Sequence, residues 1–317
     1  MVFFCFFVLL LDVYQLFYRP MPIEKNASAI IHLDKSTSAH SFVKTLKEKK
    51  LIQSDRLFLM LIRCQGLSQH LKAGFYQIRV GESAQQFLYR VVLGDVLIES
   101  FRIIEGTTQA QISANLASAP YLIYEPSDWT SFKHQATSVE GLLLADTYQY
   151  EAGSSSRSIL VKAHANLEQF LDYSWKQRSP NLPYKNAYQL LIAASIIEKE
   201  AALPRERRLI AGIIVNRLQK YMPLQMDPTV VYALGPNFKG ELTRVDLHID
   251  SPFNTYLYRG LPPTPIAMVG KDAIDAAAHP EFTHYLYFVA RGDGSHYFSE
   301  TYEQQKQAVA RYRRNKK

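Results

Sequence analysis

"AYQLLIAASIIEKEA", Ala187 to Ala201, is the stretch on which the reading of this chain turns. Its apolar run predicts a long helix that Pro204 brings to a stop, and that helix carries two carboxylates at its end. Each helical residue turns about 100°, so Glu198 and Glu200 point about 200° apart and cannot share a site. Glu200 falls on the face of Ala193, Ile196 and Ile197, whereas Glu198 lies over Ala194 and Ser195. Bulky apolar neighbours disfavour a carboxylate and raise its pKa, which is what a general acid working near neutrality needs. The spacing therefore marks Glu200 as a candidate acid and Glu198 as a solvated flank. The plain alternative is that both glutamates only solvate a helix end.

The totals narrow the surroundings. A chain of 317 residues with 47% hydrophobic and 21% charged residues builds a real core, in one large domain or two ordinary ones. A formal charge of +7 favours anionic surroundings, but the positive residues are dispersed apart from "KTLKEKK" and "RYRRNKK", which read as helix faces or ends. No helix-turn-helix, RNP or zinc-finger pattern is present, so nucleic acid is not an expected partner. Two cysteines, Cys5 and Cys64, predict neither a structural disulfide nor a thiolate metal site. No P-loop, dinucleotide fingerprint, HExxH, GxSxG or CxxC occurs, and His279, His284 and His296 read as structural; no metal and no cofactor are expected.

Along the chain, "VFFCFFVLLLDVYQLFY" (Val2 to Tyr18) is shorter than the about 20 apolar residues of a spanning helix and contains Asp12. With no basic residue before it and no well-placed cleavage site, it reads as a short single-pass anchor rather than a signal peptide. "YRPMPIEKNAS" reads as a linker. Three segments then run from a β-like stretch through a hydroxyl residue (Ser38, Ser83, Thr108) into a helix. Apolar residues follow each hydroxyl at four and eight positions: Phe42 and Leu46, Phe87 and Val91, Ile112 and Leu116. Repeated capping chemistry and true internal repetition account for this pattern equally well. Further helices are predicted over Ser158 to Gln177 and in "RERRLIAGIIVNRLQKY", a hairpin turns at Gly292-Asp293-Gly294, and a last helix starts at Tyr302. The intervening segments, "PLQMDPTVVYALG" and "SPFNTYLYRGLPPTPIA", read as loops and short strands. They carry Gln225, Asp227, Thr229, Asn254, Tyr232 and Tyr256, residue types that hydrogen-bond to and stack on sugars. Asp227-Pro228 and Asn254 equally suit plain turns.

The sequences "ASIIEKE", "VNRL", "LQMDPTVVYALG", "SPFNTYLYRGLPPTPIA", "AAAHP" and "YLYFVARGDGSHYFS", with "KAGFYQI" and "IIEG" upstream, occur here in one order. In this the chain resembles the YceG-like endolytic murein transglycosylases, over nearly its whole length after the anchor. The resemblance implies an α+β fold: a membrane anchor (1–18), a linker (19–28), a small LysM-like α/β module (29–100) and a larger, mixed helical catalytic domain with short strands (101–317). It places the catalytic carboxyl at Glu200, and substrate contacts at Asn216, Gln225, Asp227, Thr229, Asn254 and Tyr256. The implied reaction is lytic cleavage of the MurNAc–GlcNAc bond inside nascent peptidoglycan glycan strands, giving 1,6-anhydro-MurNAc ends and terminating elongation. A hydrolytic muramidase and a non-catalytic peptidoglycan-binding scaffold are the alternatives. The implied setting is the bacterial inner membrane, single-pass, with the enzyme part periplasmic and peptidoglycan synthases as further partners. One departure stands out: Leu144 and Ala145 of "LLLADTY" replace an aromatic residue and a proline, which bears on the shape of one cleft wall.

Overall fold

Ser38, Ser83 and Thr108 each close an extended segment and accept a hydrogen bond from the backbone N–H three residues on, at Ser41, Gln86 and Gln111. Gln86 and Gln111 return the bond to the cap backbone, so two of the three are complete capping boxes. These caps start α1 (Ala39–Glu48), α3 (Ala84–Leu93) and α4 (Gln109–Ser118); Ser54 caps α2 (Asp55–Cys64) in the same way. The computed structural model describes residues 14, 16–23, 29–132 and 138–315. It divides into two compact units.

The first unit comprises the chain up to Glu99 together with Pro120–Ile123 and Gln149–Ser154, so later segments return to the expected module. Strand β1 (Ile30–Leu33) pairs antiparallel with β2 (Gly74–Gln77), with Ile31 opposite Tyr76. Helices α1 and α2 form the hairpin between them. Phe42, Leu46, Phe58, Ile62, Tyr76, Phe87 and Val91 are fully buried together, and Tyr76 meets Phe87 edge-on at 6.3 Å. Most of the expected anchor, residues 1–13 and 15, lies outside the described residues. Its end does not stand free, because Leu16 and Phe17 join this core. The described part of the expected linker is also held: Pro20 bridges Ser83, and buried Met21 donates its N–H to the Glu82 carbonyl at 2.9 Å. Among the described residues no helix is long and apolar enough to cross a membrane.

The second unit is mainly helical. Strands β3 (Ile98–Arg102) and β4 (Thr147–Glu151) form a two-stranded sheet through which the division between the units runs. Helix α5 (Arg157–Gln177) is followed by α6 (Ala187–Glu200), α7 (Arg207–Gln219), α8 (Asp227–Leu234) and α9 (Lys271–Ala278). Helix α6 is apolar on all sides and packs against α5, α7, α8 and α9, so every residue from Leu190 to Ile197 is buried. Buried Ser195 accepts the Ile266 N–H at 3.0 Å and fixes the run Ile266–Val269 against this helix. Gly212 permits one close approach on α7: a β-carbon there would lie 2.4 Å from the Glu281 carbonyl oxygen. Strands β5 (Tyr287–Ala290) and β6 (His296–Ser299) form the hairpin at Gly292–Gly294, and α10 (Tyr302–Asn315) packs on it.

One segment departs from its sequence reading. Asp227-Pro228 opens a helix rather than a turn, since proline suits the first helical turn, where its missing N–H costs nothing. The Asp227 backbone N–H is thereby one of the unpaired donors of a helix start.

Candidate active site

Glu200 ends α6 with its side chain partly exposed and its carboxyl surrounded by protein. Burial is the main influence on it, the nearby Asp227 carboxylate adds to that, and together they push its pKa from the ordinary 4.5 to about 8. The Asp227 backbone N–H at the start of α8 donates to it and opposes the shift without cancelling it. No cation is among the groups that shift Glu200. The carboxyl is thus protonated at neutral pH and has a second carboxylate beside it.

Asp227 is itself held from the other side. The Tyr256 hydroxyl donates to Asp227 Oδ1 at 2.5 Å. Burial, and then this bond, raise the Tyr256 pKa, so the phenol stays protonated as a donor. The segments carrying these residues are zipped together. Gln225 N–H donates to the Thr255 carbonyl at 3.0 Å, and Met226 N–H donates to Thr255 Oγ1 at 3.0 Å. The buried Thr229 and Thr255 hydroxyls lie 2.9 Å apart. This explains in physical terms why "LQMDPT" and "NTY" belong together: Asp227 and Tyr256 meet only if the two segments pair in this register.

The remaining residues singled out from sequence take different places. Asn254 is fully buried and donates to the Leu247 and Ile249 carbonyls at 3.0 and 2.9 Å, while its Oδ1 accepts the Tyr256 N–H at 3.0 Å. Thr229 is also fully buried, with its hydroxyl donating to the Met226 carbonyl at 2.7 Å. Asn216, on α7, donates to the carbonyls of Thr283 and Tyr285 at 2.8 and 3.0 Å. The polar groups of these three are engaged with the protein's own chain. Gln225 and Asp227 are exposed and Tyr256 is partly so. Gln225 adopts a left-handed backbone, φ 51°, directly before Met226. Tyr232 donates to the buried Glu140 at 3.2 Å and packs on Phe253 at 4.9 Å.

One group was not foreseen. Arg217 is 5% exposed and pairs with no carboxylate among the described residues; it donates to the carbonyls of Leu286, Pro223 and Leu224 and, at 3.2 Å, to Gln225 Oε1. Burial lowers its pKa, and its role is to tie α7 to the segment leading into Asp227. The only trace of it in the sequence is its place beside Asn216 in "VNRL".

Glu198 corrects the expectation of a solvated flank. Its side chain is only 3% exposed, with Oε1 accepting from Arg207 at 3.0 Å and Oε2 accepting the Gly270 N–H at 2.9 Å. A helix covered on all sides has no solvent face, so periodicity alone does not separate the two glutamates. What separates them is partners: Glu198 has a cation, and Glu200 has Asp227.

The profile of the YceG-like family matches residues 31–311. The chain is 31% identical to the endolytic murein transglycosylase of Bacillus subtilis strain 168, covering 92% of this chain and 87% of that protein. It is 27% identical to the protein of the same name from Streptococcus pneumoniae strain D39, again over 92% of this chain but spanning only 60% of the relative. A crystal structure of a yceG-like protein from Listeria monocytogenes superposes with a TM-score of 0.55 at 29% identity, covering 89% of this chain and 99% of that one.

Proposed function

This chain belongs to the YceG-like family, and from that premise we propose that it is an endolytic murein transglycosylase with Glu200 as its single acid and base. The observation that carries the reading is the Glu200 carboxyl at the end of α6, protonated at neutral pH by burial and by the Asp227 carboxylate. Protonated Glu200 donates to the glycosidic oxygen between N-acetylmuramic acid and N-acetylglucosamine, and the C1–O bond breaks. The carboxylate left behind takes the proton from the C6 hydroxyl of the muramic acid as that oxygen closes on C1. The products are a 1,6-anhydro end and a free C4 hydroxyl, Glu200 regains its proton, and no water is consumed.

The surroundings support each step. Asp227 raises the proton affinity of Glu200 for the second step and, held by Tyr256, offers a fixed negative charge beside the oxocarbenium-like centre. The Asp227 N–H supports the carboxylate form between the two steps. Gln225, Asp227 and Tyr256 are the exposed groups placed to contact sugar. Asn216, Thr229 and Asn254 act one step back, by fixing the backbone that carries or adjoins them.

The N-terminal apolar segment is read as a membrane anchor that keeps the enzyme in the bacterial envelope, facing nascent strands and the synthases that make them. Incubation of the full chain with uncrosslinked glycan strands tests the proposal. Internal fragments with 1,6-anhydro ends, absent with Glu200→Gln, are expected. Reducing ends instead would establish a hydrolytic muramidase, and binding without cleavage a scaffold.

A further inference from the structure

One face of α5 borders an open groove, of about 380 Å³, in the same unit as Glu200. Asn166, Gln169, Phe170 and Tyr173 recur at three- and four-residue steps and so line it from a single helical face. Leu144, 1% exposed, forms its apolar floor, and Lys271, the first residue of α9, stands at its rim. The Lys271 ammonium lies 5.8 Å from the centre of the Phe170 ring. None of the lining residues is acidic. The groove therefore combines two amides, two aromatic rings and one positive charge over an apolar base. Its rim adjoins the catalytic helix: Gly270, next to Lys271, donates its N–H to Glu198 in the last turn of α6.

A neutral sugar chain would leave the ammonium without a counter-charge. A short peptide ending in carboxylates suits this lining: the ammonium meets a carboxylate, the Gln169 amide and the part of the Asn166 amide not bonded to Tyr148 pair with peptide groups, and the rings cover aliphatic side chains. We propose that this groove binds the carboxylate-bearing peptide stem that branches from the glycan strand. The proposal rests on the glycan-strand reading of Glu200 and adds to it a second point of recognition. Leu144 is then a residue that shapes stem selection, since a larger side chain at the floor would fill the groove.

The test uses the full chain with two substrates: uncrosslinked strands bearing stems, and the same strands with stems removed by an amidase. Lys271→Glu is expected to raise KM for stem-bearing strands about ten-fold, with kcat unchanged, and to leave the stripped strands unaffected. Lys271→Arg should retain wild-type KM. An equal effect of Lys271→Glu on both substrates, or no effect on either, overturns the proposal. A second measurement is independent of turnover: titration of muramyl dipeptide, which carries a peptide carboxylate, into the Glu200→Gln chain. Binding weakened about ten-fold by adding Lys271→Glu supports the groove even if no strand is cleaved, in which case the transglycosylase reading alone fails. No binding, or binding indifferent to Lys271, removes the groove while leaving any observed cleavage in place.

Discussion

The Tyr256 hydroxyl donates to Asp227 Oδ1 at 2.5 Å, and Asp227 in turn acts on Glu200 through both its charge and its backbone N–H. A phenol, a carboxylate and a carboxylic acid are thus arranged in series, and in the proposed reaction only the last exchanges protons with the glycan. Burial first, and then Asp227, set how strongly the acid holds its proton.

Tyr256→Phe removes the donor and keeps the ring. A hydrogen bond to a charged group contributes about 1.5–3 kcal/mol, and about 1.4 kcal/mol corresponds to a factor of ten in rate. Steady-state kinetics should show kcat lowered about ten-fold or more, with a smaller change in KM. Unchanged kcat would mean that the orientation of Asp227 does not matter.

Asp227→Asn keeps the backbone N–H and removes the negative charge that helps raise the Glu200 pKa. The alkaline limb of the kcat–pH profile, expected near pH 8 for the wild type, should move to lower pH. A limb that stays in place, or moves up, contradicts the assigned coupling.

Glu198 lies two residues from Glu200 yet is held by different partners. Glu198→Ala leaves Arg207 and the Gly270 N–H without their shared acceptor. Arg207 keeps its second partner Asp272 at 3.2 Å, so denaturant unfolding should show a loss below the about 3–5 kcal/mol of a buried charge left with no partner. Glu198→Gln keeps an acceptor for Gly270 and should lose less. Equal stability of wild type and Glu198→Ala would show that the pair is not buried as described.

Glu200 also makes stability depend on pH, with a definite sign. Its folded pKa of about 8 lies above the ordinary 4.5. Below 4.5 both states are protonated and no penalty exists. Between 4.5 and 8 the unfolded chain has released the proton while the folded chain retains it, so stability falls as pH rises. Glu200→Gln removes this dependence. Its Tm relative to wild type should rise from pH 4.5 to pH 8 and then level off, as followed by calorimetry.

Much of the architecture was legible because it is encoded locally. Ser38, Ser83 and Thr108 announce their helices through side-chain chemistry three residues away, and Gly292–Gly294 marks its hairpin in the same manner. The burial of the Glu200 carboxyl was legible from its apolar neighbours. The burial of Glu198 was not, because the reading from periodicity assumed a helix with one wet side, and α6 is enclosed by four others. Helix α8 was hidden behind an Asp-Pro pair that suits a turn and a first helical turn equally well. Arg217 was invisible for a different reason: its Nε partner, the Leu286 carbonyl, lies 69 residues along the chain, and a basic residue near a helix end gives no local sign of burial.

The central claim is that Glu200 carries its proton at neutral pH. Titration of the Glu200 carboxyl carbon by NMR, assigned by comparison with Glu200→Gln, measures this directly. The account predicts a midpoint at about pH 8; a midpoint near the ordinary 4.5 would contradict it, because the acid needed for the first step would then be absent at neutral pH.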